Sequence, residues 1–147
     1  MKIREQIKQV NIVISGILDL YKIWAKKNHI NYNALLILYT LYNYEICTQK
    51  QICEWWALPK QTVHGILLDF EKKNYITITD NAKNKRERLV AFTKAGKDYA
   101  QSLLEPLQKM EEVAMEKMGD EMRHQLITCN HTYFEFLKEE INNESFI

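Results

Sequence analysis

Local signals in the middle of the chain define two short helices joined by a tight turn, and this pair constrains the fold more than any other feature. The motif Thr48-Gln49-Lys50-Gln51 matches the S/T-x-x-E/Q capping box and predicts a helix that runs to about Trp56. Pro59 follows, and proline suits the first position of a helix because no N–H donor is needed there. A second helix is therefore predicted from Pro59 to about Lys73.

A β-hairpin is predicted directly after these two helices. Asn74 suits the left-handed position that ends a helix, since asparagine is second only to glycine there. Residues 75–79 alternate and are rich in β-branched side chains, residues 80–87 are polar, and residues 88–92 lead to Thr93. Two such strands around a polar tip are typical of a hairpin.

Long helices are predicted on both sides of this segment, because only four glycines and two prolines interrupt 147 residues. The predicted helices are residues 3–24, one that Asn31 or Asn33 caps and that ends near Tyr42, one from Lys94 to about Glu116 that Pro106 bends, and a last one that Asp120 caps after a stop at Gly119. The chain is therefore expected to be mainly α.

The first of these helices carries an apolar stripe that needs a cover. Its members recur at steps of three or four and are Ile3, Ile7, Val10, Ile14, Ile17, Tyr21 and Trp24. The apolar residues between 126 and 141 form a similar stripe on the last helix, and we expect them to cover the first stripe within one chain or between two chains.

Charge is distributed unevenly along the chain. Residues 47–97 hold ten Lys and Arg against five Asp and Glu, whereas the rest holds ten basic and fourteen acidic residues, and the net charge of the whole is only +1. A basic middle between acidic ends is typical of a chain whose middle faces a polyanion. On charge alone, a solvated surface with clustered charges fits equally well.

Three helices followed by a β-hairpin define the winged helix-turn-helix, an arrangement that binds DNA. The second helix of the pair fits a major groove about 12 Å wide, and its N-terminal residues reach the base edges, where a glutamine such as Gln61 can bond adenine. The hairpin tip, the wing, reaches the adjacent minor groove, whose negative potential attracts a guanidinium. The predicted DNA-binding residues are Thr48, Lys60, Gln61, Thr62, His64 and Gly65 in the helices and Lys83, Lys85, Arg86 and Arg88 in the wing.

Three segments resemble the MarR family of bacterial transcription regulators. They are Leu58-Pro59-Lys60-Gln61-Thr62-Val63, Phe70-Glu71-Lys72-Lys73-Asn74-Tyr75-Ile76 and Val90-Ala91-Phe92-Thr93-Lys94-Ala95-Gly96. The resemblance implies that Arg86 is the minor-groove arginine and that Asn84 replaces the aspartate that usually braces it by a salt bridge. A neutral hydrogen bond would brace the wing less firmly, so a more mobile wing is expected. Asn74 also stands where the family has glycine.

The resemblance further implies a homodimer in which the first and last helices of both chains intertwine. The chain then divides into an N-terminal dimerisation helix (residues 1–30), a winged helix-turn-helix lobe (residues 31–97) and C-terminal dimerisation helices (residues 98–147). The implied function is a sequence-specific transcriptional regulator, a repressor on a pseudo-palindromic operator, that a small ligand releases. The ligand pocket would lie between the dimer helices and the DNA-binding lobe.

Aromatic residues supply two interpretations of this pocket region. Tyr21, Trp24, Tyr32 and Tyr39 could line a pocket for a small aromatic or hydrophobic effector. They could equally form core and dimer seam, which is the commoner fate of aromatic residues at helical spacing and the interpretation we favour. Trp55 and Trp56 are adjacent in a helix, so one of them is expected at the surface.

Thiol-responsive and metal-responsive regulators are weaker alternatives. Cys47 lies beside the capping box, and only the start of the next helix could lower its pKa, while Cys53 is expected to serve packing. His124, Cys129 and His131 are spaced by five and two residues, so no pair stands at the i,i+4 spacing of metal ligands on one helix. We therefore expect no metal and no cofactor.

An enzyme is not expected, because the chain has no Gly-rich phosphate loop, no nucleophile elbow and no HExxH motif. A winged-helix module that binds protein remains an alternative, although a protein partner would not need a basic wing. The N-terminus lacks a signal peptide, and no run of about 18 uncharged apolar residues occurs. We therefore expect a cytoplasmic protein with free thiols.

Overall fold

The computed structural model describes residues 1–143, which hold five helices and three strands. In chain order these are α1 (Ile3–Lys27), α2 (Tyr32–Tyr44), β1 (Ile46–Thr48), α3 (Gln49–Trp56), α4 (Lys60–Lys72), β2 (Ile76–Asp80), β3 (Arg88–Phe92) and α5 (Lys94–Asn143). The fold is therefore mainly α with a winged helix-turn-helix in its middle, as the sequence predicts.

The sheet has three strands, one more than the predicted hairpin. The hairpin strands β2 and β3 pair antiparallel, and β1 pairs with the other edge of β3, which gives the order β1-β3-β2. Cys47 lies opposite Val90 in this sheet, and Ile78 lies opposite the same valine from the other side. The strand β1 was not predicted, because three residues before a capping box are too few to show alternation.

The helix ends follow the capping chemistry closely. Asn31, rather than Asn33, caps α2, because its side-chain oxygen accepts hydrogen bonds from the backbone N–H groups of Asn33 and Ala34 at 2.9 and 3.3 Å. The first helix extends three residues beyond its predicted end at residue 24. The prediction for Pro59 was one position off, since its backbone is extended (ψ 139°) and α4 begins at the next residue.

Two compact units divide the chain, residues 1–105 and residues 106–147. The first has a core to which every element between α2 and the start of α5 contributes. Its largest fully buried side chains are those of Leu35, Ile37, Leu38, Leu41, Ile52, Val63, Leu67, Ile76, Val90 and Leu104. This core holds α3, α4 and the wing in one body.

The helix α5 is interrupted at Gly119, whose backbone (φ 76°, ψ 163°) is not helical, so the predicted stop is confirmed. Arg123 spans this break within the second unit. Its guanidinium donates hydrogen bonds to the backbone carbonyl of Met115 (3.2 Å) and to the carboxylate of Asp120 (2.9 Å). Pro106 lies inside α5, and the bend expected there stays a prediction. No helix of the described chain has the length and apolar character to cross a membrane.

Candidate nucleic-acid interface

The helix-turn-helix begins with a complete capping box at Thr48. The backbone N–H of Gln51 donates to the Thr48 hydroxyl (3.1 Å), and the Gln51 side-chain oxygen accepts from the Thr48 N–H (2.8 Å). The predicted start of α3 is therefore confirmed. Thr48 is buried (8% exposed) and its hydroxyl serves this cap. A contact between Thr48 and DNA stays a prediction.

The turn between α3 and α4 is fixed at both of its ends. Ala57 adopts the left-handed conformation (φ 50°, ψ 41°) that ends α3, and the N–H of Leu58 donates to the Cys53 carbonyl at 3.1 Å. The side-chain amide of Gln49 donates to the Lys60 carbonyl at 3.3 Å. This bond ties the first residue of α3 to the first residue of α4, and no local sequence signal indicates it.

The helix α4 turns one face to the core and the other to solvent. Val63, Leu67 and Phe70 are buried, whereas Ile66 is half-buried. The predicted base-reading residues lie at the N-terminal end of the helix, where Lys60, Gln61, His64 and Gly65 are exposed and Thr62 is half-buried. The polar side chains of this group can reach the base edges in a major groove.

Gly65 lies on this exposed face with open space in front of it. Apart from the adjacent backbone of α4, a Cβ atom built there has no atom of the described residues within 4 Å. Residues 1–143 leave this space open, so it is free for an external partner.

The adjacent tryptophans take the two different environments that the sequence predicts. Trp55 is partly exposed and stacks on Tyr44 with ring centroids 4.6 Å apart. Trp56 is half-buried, donates a hydrogen bond to the Thr40 hydroxyl and meets Tyr39 edge-on at 6.3 Å. The second tryptophan therefore anchors α3 on α2.

The wing tip is built from two consecutive asparagine turns. The side-chain oxygen of Asn81 accepts from the N–H of Lys83 (3.0 Å), and that of Asn84 accepts from the N–H of Arg86 (3.1 Å). Asn84 thus makes a neutral hydrogen bond to the backbone of Arg86, while a brace on the Arg86 side chain and a more mobile wing stay predictions. Arg86, Lys83 and Lys85 are exposed, so the tip presents three cations to solvent.

Arg88 lies at the base of the wing, opposite Asp80 in the register of the hairpin. Its Nε is 4.0 Å from the Asp80 carboxylate, and both side chains are largely exposed. An exposed pair at this distance contributes little to stability because water screens it. Arg88 can therefore leave Asp80 and bind a polyanion with little loss of free energy.

Burial works against a thiol-sensor role for Cys47 and Cys53. Burial raises the pKa of the Cys47 thiol from 9.0 to about 11, and burial is also the main cause that raises the pKa of Cys53. A reactive cysteine needs the opposite shift. Cys129 is exposed on α5, and among residues 1–143 no group of three or more His, Cys, Asp or Glu could hold a metal ion.

The four residues of the predicted effector pocket are all half-buried. The Trp24 indole donates to the Leu103 carbonyl at 3.3 Å, and Lys27 lies over its ring at 5.9 Å. Lys22 lies over the Tyr32 ring at 5.6 Å, and burial raises the pKa of Tyr32. These contacts place cations beside the aromatic rings, and the pocket itself stays a prediction.

The apolar stripe of α1 is left at the surface, with Ile7, Val10, Ile14 and Ile17 each 40–48% exposed. A polar strip runs along the helix beside it and consists of Arg4, Lys8, Asn11, Ser15, Lys22 and Lys26. A concavity of about 550 Å³ on α1 is lined by that helix alone, so it is an open trough rather than an enclosed site. The second unit also exposes large apolar side chains, among them Leu126, Phe134, Leu137 and Ile141.

Comparison with known proteins gives one consistent result. The sequence profile of the MarR family matches residues 30–87. The solved structure of a MarR family regulator from Neisseria meningitidis is similar over 93% of this chain and 96% of its own, with 31% sequence identity and a TM-score of 0.83. No curated protein matches the chain.

More distant structures share the fold. MepR of S. aureus, solved in a DNA-binding conformation, matches 88% of this chain and 96% of its own at 17% identity, with a TM-score of 0.76. NadR, solved in complex with 4-hydroxyphenylacetate, matches 92% of each chain at 13% identity, with a TM-score of 0.69. At these identities the similarity shows the fold alone.

Proposed function

Because this chain belongs to the MarR family of transcription regulators, we propose that it acts as a homodimer that binds a pseudo-palindromic DNA site. Each chain inserts the N-terminal end of α4 into the major groove and the wing into the adjacent minor groove. The observation that carries this proposal is the exposed polar face of α4, with Gln61 and His64 beside the open space at Gly65.

The wing supports the proposal through charge. Lys83, Lys85 and Arg86 are exposed at its tip, and residues 47–97 have a local excess of five positive charges. Phosphate neutralisation by such a surface releases counterions, so binding should weaken steeply as salt rises. In this assignment Arg86 enters the minor groove, Gln61 reads a base edge, and the lysines contact phosphates.

The apolar stripe of α1 supports the homodimer. Ile7, Val10, Ile14 and Ile17 would bury their exposed surface against a second copy, while the polar strip of α1 stays in water. A symmetric dimer presents two recognition helices, and two half-sites one helical turn apart then match it. A single chain would reach only one of them.

We further propose that the protein is a repressor and that a small aromatic or hydrophobic effector releases it. The aromatic residues Trp24 and Tyr32 with their neighbouring lysines offer stacking surfaces and positive charge in the first unit. NadR, which shares the fold, is known in complex with an aromatic acid. An effector held there would contact both α1 and α2 and so bias the position of the lobe.

The alternatives have less support. A winged-helix module for a protein partner would not need three exposed cations at one wing tip. A thiol-responsive regulator needs a thiolate, and burial keeps Cys47 protonated. A metal-responsive regulator needs a cluster of ligands, which the described residues lack.

Selection of bound DNA from a pool of random-sequence duplexes tests the proposed function. The wild-type protein should enrich a pseudo-palindromic sequence, and addition of cell extract should reduce its binding if an effector is present in that extract. A matched selection with Gln61→Ala and Arg86→Ala combined should enrich no sequence. Recovery of unselected sequences by the wild type at moderate salt would contradict the proposal, because purely electrostatic binding has no sequence preference.

A further inference from the structure

At the end of α4, backbone hydrogen bonds hold the chain in one conformation. Asn74 adopts the left-handed conformation (φ 59°), and its N–H donates to the Glu71 carbonyl at 2.9 Å. The N–H of Tyr75 donates to the Phe70 carbonyl at 2.9 Å, and the rings of these two residues contact each other at 6.3 Å. This is a complete Schellman motif with its hydrophobic contact, so the chain leaves α4 in one fixed direction.

Thr93 joins this end of α4 to the start of α5. Its backbone N–H donates to the Tyr75 carbonyl (3.0 Å), and its hydroxyl donates to the Asn74 carbonyl (2.6 Å). The same hydroxyl accepts from the N–H of Gly96 (3.0 Å), so Thr93 is also the N-cap of α5. One residue therefore bonds to both helix ends at once.

Gly96 allows α5 to lie against the backbone of Tyr75. A Cβ atom at this position would stand 1.8 Å from the Tyr75 carbonyl oxygen and 2.6 Å from its carbon. Those are backbone atoms, so no change of rotamer relieves the clash. One turn later Tyr99 stacks on the Tyr75 ring, with centroids 4.7 Å apart and planes within 11°. We call Asn74, Tyr75, Thr93, Gly96 and Tyr99 the helix junction.

We infer that the helix junction sets the distance between the two recognition helices of the dimer, and so selects the half-site spacing that the protein binds. The inference rests on the proposed homodimer. The helix α4 carries the predicted base contacts, and α5 continues past Glu105 into the C-terminal helices that the proposed dimer uses. At a backbone-to-backbone contact no flexible side chain can move aside. A displacement of α5 at the helix junction therefore displaces α4 as well.

The magnitude of this coupling is set by the Gly96 contact. An ordinary van der Waals contact begins at 3.4 Å, so a methyl group now 1.8 Å from the Tyr75 oxygen requires a shift of about 1.6 Å. Both chains of a dimer shift, and the two displacements together approach about 3.4 Å, the separation of successive phosphates along one strand of B-DNA. A single methyl group at Gly96 is therefore large enough to disturb the fit to the original half-site spacing, although one base pair also turns a half-site by about 35° around the DNA axis.

The test compares binding to four duplexes at fixed salt. They are the sequence that the wild type recovers from random duplexes, the same sequence with its centre shortened or lengthened by one base pair, and one half-site alone. Gly96→Ala should lose at least tenfold in affinity for the original spacing and bind a changed spacing best. Its affinity for the single half-site should stay within about twofold of wild type, because the base-reading face is unaltered.

Two further variants keep the inference falsifiable if Gly96→Ala does not fold. Tyr99→Leu removes the stack on Tyr75 and should flatten the spacing preference, whereas Tyr99→Phe keeps the ring and should retain it. Ala95→Ser is the control, because Ala95 is exposed on the same turn of α5 as Gly96, and this variant should behave as wild type.

Two results overturn the inference. A folded Gly96→Ala or Tyr99→Leu protein that keeps the wild-type optimum spacing, or that loses the same factor on all four duplexes, shows that the junction serves stability only. A wild-type protein that binds no duplex, or binds the half-site as tightly as the full site, removes the proposed dimeric function and the inference with it. The wild-type measurement therefore separates the two failures.

Discussion

The side-chain oxygen of Asn84 accepts a 3.1 Å hydrogen bond from the backbone N–H of Arg86. Asn81 holds the N–H of Lys83 in the same way at 3.0 Å, so local turns alone define the shape of the wing tip. An aspartate that forms a salt bridge would orient the guanidinium, whereas this amide orients the backbone from which the arginine side chain extends. Arg86 is thus positioned through its main chain.

A double-mutant cycle tests this positioning. Arg86→Ala should weaken DNA binding by about 1–3 kcal/mol, mainly at A·T-rich flanks of each half-site. Asn84→Ala should weaken binding by itself but add nothing in the Arg86→Ala background, because it acts through the arginine. Asn84→Ser keeps an acceptor oxygen that can form the same kind of turn more weakly, so it should lose less affinity than Asn84→Ala. Additive losses in a fluorescence titration would show that Asn84 acts independently of Arg86.

Gln61→Ala should relax the base preference at one position of each half-site, because Gln61 is exposed at the N-terminal end of α4 and can bond adenine through both amide atoms. The measurement is competition among duplexes that vary one base pair at a time. Thr62, half-buried beside it, supplies a control, since Thr62→Ser keeps its hydroxyl and should keep the preference. Equal weakening on every duplex would mean that Gln61 contacts only the DNA backbone.

Thr48→Ala should lower the free energy of unfolding by about 1 kcal/mol, because it removes the hydroxyl that accepts from the Gln51 N–H. Thr48→Ser keeps that oxygen and should cost much less. Urea denaturation measures both variants, and DNA binding by the folded fraction shows whether Thr48 also contacts phosphate. A stability equal to wild type for Thr48→Ala would contradict the capping role.

Burial of Cys47 predicts a loss of stability in alkali. The folded protein holds the thiol proton up to a pKa of about 11, whereas the unfolded chain releases it near 9.0, so the folded state binds more protons between these values. Stability should fall by about 2–3 kcal/mol from this group as pH rises through that window. Cys47→Ala should be less stable than wild type at neutral pH, but its stability should fall less steeply as pH rises through this window. An identical pH slope in both proteins would disprove the assignment.

Where a helix begins or ends could be predicted because capping is local. The box between Thr48 and Gln51 spans four residues, Asn74 takes the left-handed position at the end of α4, and Gly119 interrupts α5. The single-position error at Pro59 reflects the fact that proline suits both the N-cap and the first helical residue. Each of these signals lies within one turn of the position that it marks.

Contacts between distant residues could not be predicted in this way. The strand β1 exists because Cys47 pairs with Val90, and that pairing depends on how the core places β3. The bond from Thr93 to Asn74 and the approach of Gly96 to Tyr75 likewise require the finished tertiary structure. The sequence marks Gly96 only as part of a family segment, and its physical reason emerges when the neighbouring backbone is in place.

The dimer that reads two half-sites is tested most directly by sedimentation of the protein with its selected duplex. The wild type should sediment as two chains alone and as two chains on one duplex. Ile7→Glu combined with Ile14→Glu places two charges on the apolar stripe of α1 and should give a single chain that forms no stable complex with the full site. Ser15→Glu adds a charge to the polar strip and should leave both species intact. A wild-type complex with one chain per duplex, or a stripe variant that still places two chains on the duplex, would contradict the account.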